Sequence, residues 1–162
     1  MGGVWLDATF YCANQIPKEY FELPVWSIKR PDYAHASVAS GYFAGYSLAC
    51  NESHRWVFAI IRDFFLNYWK HNDTMVDYLM IDYMIVLAQE MNPKVSDVFF
   101  DIPSNNPLCD ELFKVLGDVY DNKKWDILRK ETVLFKLTWK QEFPIMKEGE
   151  MTFYGKMINN LL

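Results

Sequence analysis

Apolar and polar positions alternate with a changing rhythm along this chain. Gly3 to Cys12 is dense in apolar residues, with Val4-Trp5-Leu6 and Phe10-Tyr11-Cys12 on either side of Asp7-Ala8-Thr9. It reads as a strand interrupted at that tripeptide. Leu23 to Lys29 predicts a second, short strand and Tyr42 to Cys50 a third. Gly41 and Gly45 punctuate the latter, where a ligand or another backbone comes close.

The period then lengthens. Asn51-Glu52-Ser53 is a helix start, because Asn and Ser side chains accept bonds from free N–H groups. Trp56, Ile60, Phe64 and Tyr68 share one face of a helix running to about Lys70. His71-Asn72-Asp73 makes a turn. A second helix is expected from Thr74 to Met91, apolar nearly all round and therefore buried, with Asp77 and Asp82 its only charges between Met75 and Ala88. Those two acids break the apolar run and speak against a membrane span. Pro93 ends the helix.

Beyond it, Asn106-Pro107 predicts a helix through Val115 with Leu108, Leu112, Val115 and Leu116 as its stripe. Lys123–Lys130 reads as a short helix, Val133–Trp139 as an edge strand, and Thr152 as the cap of a terminal helix to Leu161.

Composition sharpens this picture. The 162 residues suffice for one domain with its own core. Aromatic residues reach 17%, and Tyr and Trp keep a polar end that suits sugars or bases. The net charge of −5, with no basic run, points away from nucleic acid. Cys12, Cys50 and Cys109 show no metal-binding spacing and fit a reducing cytoplasm. No Ser-His-Asp order, HExxH or P-loop is present, which removes hydrolase and kinase readings.

The candidate chemistry concentrates in Gly2-Gly3-Val4-Trp5-Leu6-Asp7-Ala8-Thr9. Paired glycines lead into a strand that ends in a carboxylate. The same carboxylate could hold a divalent metal or merely bond local backbone in a turn. This stretch, with Asn67-Tyr68-Trp69-Lys70, Asp77-Tyr78-Leu79-Met80-Ile81-Asp82-Tyr83 and Leu134-Phe135-Lys136-Leu137-Thr138-Trp139-Lys140, resembles the capsular polysaccharide synthesis protein family. That family belongs with glycosyltransferases of the DXD sugar-binding type.

The resemblance implies an α/β fold, GT-A-like, with a mixed sheet of few strands and several flanking helices. It implies transfer of a sugar from a nucleotide-sugar donor to a glycan or lipid-linked glycan, in the cytoplasm or at the inner face of a bacterial membrane, with peripheral membrane association. Residues 1–162 would form one domain, the C-terminal portion of a transferase whose nucleotide-binding half lies upstream. Asp7 would hold manganese or magnesium against the donor diphosphate. Gly2, Gly3, Trp5, Thr9 and Trp139 would shape the donor pocket. Thr9 stands where many such enzymes have a second acid.

Asp77 and Asp82, five residues apart, would point about 140° from each other on one helix and cannot share a small metal. Each reads either as a contact to donor sugar or acceptor, or as a hydrogen-bonded structural acid. Lys136 and Lys140 read either as stabilisers of the departing diphosphate or as solvated edge-strand lysines. His35 falls in a loop that could meet a sugar hydroxyl, and His54 and His71 at helix ends. A second class of function, a non-catalytic carbohydrate-binding or assembly module, fits the Thr in the motif.

Overall fold

A computed structural model describes residues 3–32 and 37–162 of the chain. Gly2 and His35 lie outside the described residues. In chain order the elements are β1 (Gly3–Leu6), β2 (Phe10–Cys12), α1 (Glu19–Glu22), β3 (Val25–Ser27), β4 (Ser47–Cys50), α2 (Arg55–His71), α3 (Met80–Met91), α4 (Pro93–Phe100), α5 (Glu111–Val115), α6 (Asn122–Arg129), β5 (Leu134–Lys136), β6 (Met146–Lys147), β7 (Glu150–Met151) and α7 (Phe153–Ile158). They form two compact units, Met1–Asp7 with Pro17–Asn105, and Ala8–Ile16 with Asn106–Leu162. The expected break at Asp7-Ala8-Thr9 is where the chain leaves one sheet and enters another.

In the first unit β4 is the centre of a three-stranded sheet ordered β1-β4-β3. Trp5 faces Leu48 and Gly3 faces Cys50 across the β1–β4 pair, while Val25 faces Cys50 across β3–β4. Residues opposite one another share a face. Gly3, Trp5, Leu48, Cys50 and Val25 therefore lie on one side. Val25 and Leu48 on that side join Val57 and Ile61 of α2, Met80, Met84, Ile85 and Ala88 of α3, and Val95 and Phe99 of α4 in the core. Fully burying a Val, Leu, Ile, Phe or Met side chain contributes roughly 1.5–3 kcal/mol, and the Ala88 methyl less. β1 is an edge strand, so its Trp5 stays 53% exposed although it points to the helix-covered side.

The helices follow local chemistry. Asn51 accepts from the His54 N–H at 3.1 Å and starts the 3-10 turn that leads into α2, as the sequence predicts. The expected Thr74–Met91 helix begins only at Met80. The Asp77 carboxylate accepts from the Leu79 N–H at 2.7 Å, and this local turn replaces the first helical bonds. Nor is α3 buried all round. Met80, Asp82, Met84, Ile85 and Ala88 face inward, while Tyr83, Leu87 and Met91 are exposed. Pro93 does end α3, and it also opens α4 as its first residue, with Asn92 accepting from the Lys94 N–H at 3.1 Å.

In the second unit β2 and β5 pair antiparallel, with Tyr11 opposite Phe135. Leu112, Leu116, Trp125, Leu128, Phe135 and Phe153 form the core. The expected helix from Asn106 is confined to α5, because Asn106 itself adopts a φ of 47° and serves another purpose. Its buried Oδ1 accepts from both the Val133 and Leu134 N–H groups at 2.9 Å. β6 and β7 form a hairpin whose turn uses positive φ at Glu148 and Gly149. Thr152 caps α7 as predicted, accepting from the Gly155 N–H at 3.0 Å.

Helices and strands are thus combined as an α/β chain requires. The expected mixed sheet is not found among the described residues, where every strand pair is antiparallel. Among the described residues no helix is long and apolar enough to cross a membrane.

Candidate functional site

A cleft of about 490 Å³ opens beside β1 in the first unit. Gly3, Val4 and Trp5 line it from the edge strand, Leu48 and Cys50 from β4, and Phe58 and Ile81 from the covering helices. Gly3 and Trp5, two of the residues expected to shape a donor pocket, both line this cleft. Trp5 offers an exposed indole whose flat face is apolar and whose N–H is a donor, a combination that suits a sugar or a base. Gly3 has room around it: a Cβ there would meet nothing within 4 Å.

Asp7 follows directly on β1. Its N–H donates to the Tyr46 carbonyl at 3.0 Å, which carries the β1–β4 ladder one residue past the strand. Alternation along the extended chain puts Asp7 on the face of Gly3 and Trp5. Its side chain is half-buried.

Asp82 reaches the same stretch of backbone from α3. It is only 8% exposed, and its Oδ1 accepts from the Gly45 N–H at 2.8 Å. Gly45 is what lets the carboxylate in. A Cβ at that position would lie 2.4 Å from Asp82 Oδ1 and 2.6 Å from Ile81 Cγ2. Burial raises the Asp82 carboxyl above the ordinary aspartate range, and the Gly45 hydrogen bond offsets this only in part. Asp7 and Asp82 are thus tied to neighbouring residues, Tyr46 and Gly45, while Ile81 places the start of α3 in the cleft wall.

Gly41 explains the other punctuation. With φ at +74°, its carbonyl accepts from the Arg30 N–H at 2.7 Å, and a Cβ would strike the Arg30 carbonyl oxygen. The close neighbour there is backbone, and at Gly45 it is a side chain.

Asp77 does not join this group through a shared helix. It precedes α3, is exposed, and holds its own turn. The 140° separation expected for two acids on one helix does not arise.

The remaining candidates belong to the second unit. The Lys136 ammonium donates to the Thr9 hydroxyl and sits 5.9 Å from the centroid of the Phe10 ring. Two candidates 127 residues apart in sequence are brought together by the β2–β5 pairing. Lys140 is exposed, with its ammonium 5.8 Å from the Trp139 ring centroid. Trp139 lines a separate cleft of this unit with Phe143 and Tyr154.

The histidines are local. His54 bonds the Asn51 side chain at 2.8 Å and His71 donates to the Asn67 carbonyl at 2.9 Å. Cys12, Cys50 and Cys109 are not joined in disulfides. Among the described residues no three His, Cys, Asp or Glu side chains gather as metal ligands. A magnesium-like ion commonly takes one or two carboxylates and fills its remaining positions with water and substrate phosphates.

The family model for capsular polysaccharide synthesis protein matches residues 1–157. The chain belongs to that family. No curated protein and no solved structure matches it. Family membership connects the chain with capsule synthesis and agrees with the resemblance drawn from Gly2–Thr9 and the later segments.

Sequence reasoning missed Phe58, Leu48 and Ile81 as cleft residues. Their apolar periodicity marks them as core, and nothing in it shows which core positions end at an open edge strand. Gly45 carried a usable signal, an isolated glycine in a strand-like run.

Proposed function

We propose that this protein is a glycosyltransferase, on a GT-A-like fold, that moves a sugar from a nucleotide-sugar donor to a glycan or lipid-linked glycan during capsule synthesis. The supporting observation is the edge of β1. Trp5 lines a cleft, Asp7 follows on the same face, and Asp82 is held at the backbone next to Asp7's partner.

Each group has a role in this reading. Trp5 stacks on the donor, and Gly3 leaves its backbone accessible. Asp7 provides the protein carboxylate for manganese or magnesium, with diphosphate oxygens supplying further ligands. When bound, the metal neutralises charge on the leaving diphosphate. Asp82, held by Gly45, orients a sugar hydroxyl. Lys136, Lys140 and Asp77 are proposed phosphate or acceptor contacts on the strength of the resemblance of their segments to the family. The reaction belongs at the inner face of a bacterial membrane, where lipid-linked acceptors are found.

A second reading, a carbohydrate-binding or assembly module, is favoured by one detail. Thr9 stands at the second acidic position, and its hydroxyl accepts from Lys136.

Release of nucleoside diphosphate from a panel of nucleotide sugars, with and without manganese, tests the proposal. Manganese-dependent release that disappears in Asp7→Ala supports the transferase. Saccharide binding with no response to any nucleotide sugar supports the module.

A further inference from the structure

Among the described residues only two cations are buried, Lys29 at 7% exposure and Arg30 at 8%. Both come shortly after β3, and their side chains are used differently. The Lys29 ammonium donates to the Phe100 carbonyl at the end of α4, at 2.5 Å, and lies 5.4 Å and 5.3 Å from the Tyr42 and Phe100 ring centroids. A cation that closes a helix C-terminus between two rings has a structural task.

Arg30 is held at both ends. Its N–H donates to the Gly41 carbonyl at 2.7 Å, and Gly41 packs so closely on the Arg30 carbonyl that no Cβ fits between them. At the far end its guanidinium donates to the Tyr46 hydroxyl at 3.2 Å. Tyr46 is also the residue whose carbonyl accepts from the Asp7 N–H at 3.0 Å. Along β4 and the residue before it, Tyr46 alternates onto the side of Leu48 and Cys50, which line the β1 cleft. Asp7 lies on that side with Trp5. One tyrosine therefore links a buried guanidinium to the stretch that carries the candidate carboxylate.

Burying a charge is costly, so a fixed guanidinium in this position calls for a reason. The group is planar, always charged, and carries five N–H donors in a fork that matches two oxygens of a phosphate. A diphosphate bears more negative charge than one divalent ion offsets, and a second cation held in place beforehand supplies the difference.

We infer that Arg30 binds the diphosphate of the nucleotide, that Tyr46 positions it, and that residue 41 is glycine because the Arg30 backbone needs that space. This inference deepens the transferase proposal and rests on it. It names a cation in the same unit as Asp7, and it makes the site selective for nucleoside diphosphates over monophosphates.

Calorimetric titration with UDP, UMP, GDP and GMP in the presence of manganese tests it. The readout is the ratio of the monophosphate Kd to the diphosphate Kd, which a purely structural role would leave unchanged. The parent is expected to prefer at least one diphosphate over its monophosphate. Arg30→Gln keeps a donor for the Tyr46 hydroxyl and removes the charge, and it is expected to shrink that preference by about tenfold or more. Tyr46→Phe keeps the ring and is expected to shrink it less. Urea unfolding without nucleotide shows whether each variant folds, and if Arg30→Gln does not, Tyr46→Phe decides. The inference alone is overturned if the parent prefers a diphosphate and the folded variants keep the same ratio, even where both affinities fall together. A parent that binds no diphosphate overturns the transferase proposal along with it.

Discussion

The Asp82 carboxylate accepts from the Gly45 backbone N–H at 2.8 Å, in a space that exists only because residue 45 has no side chain. This contact fixes the start of α3 against the turn before β4, and with it the Ile81 wall of the β1 cleft.

Gly45→Ala is therefore expected to destabilise the protein. The new methyl would overlap Asp82 Oδ1 and Ile81 Cγ2, both on an element that is packed into the core. Overpacking of this kind costs about 1–3 kcal/mol. Urea unfolding should show it as a lower midpoint. A variant as stable as the parent would mean that α3 can move away at no cost.

Asp82 should make stability depend on pH in the direction opposite to most carboxylates. Burial raises its folded pKa above the ordinary value of 3.8. Between those two values the folded state binds more protons than the unfolded state, so stability falls as pH rises through that window. The contribution is fully present below the ordinary value and is lost above the raised one. Asp82→Asn keeps an oxygen for the Gly45 N–H and removes the buried charge. It is expected to flatten this slope and to be at least as stable as the parent at neutral pH, while sugar transfer falls. Denaturant midpoints across acidic to neutral pH check the first part, and a transfer assay the second.

Asn106→Ala is expected to cost about 2–4 kcal/mol. The change leaves the Val133 and Leu134 N–H groups without their acceptor and forces alanine into a positive φ. Asn106→Gly relieves the backbone strain and should recover a part of the loss. Equal midpoints for the two variants would show that φ at this position contributes nothing.

What the sequence made legible was mostly local. Asn51 and Thr152 announced their caps, because a capping side chain bonds N–H groups two or three residues away. The interruption at Asp7–Thr9 was visible because the apolar run stops there. The late start of α3 was not, because Asp77 satisfies the backbone in a turn and a helix equally well on paper. Pro93 was read as a stop, although the residue that cannot continue one helix is well suited to begin another.

The candidate site divides in the same way. Trp5 and Asp7 could be named from one strand, since a period of two places them on one face. Lys136 and Thr9 could each be named, but their bond depends on a pairing between distant strands. Asp82 presented two readings, a sugar contact or a structural acid. Its bond to Gly45 is a long-range contact that periodicity cannot reveal.

The measurement closest to the central claim is calorimetric titration of the protein with nucleoside diphosphates, with and without manganese. The account predicts binding that requires the metal and that weakens by about tenfold or more in Asp7→Ala, the scale of losing one charge-assisted contact. Nucleotide binding that is indifferent both to manganese and to residue 7, or no nucleotide binding at all, would contradict it.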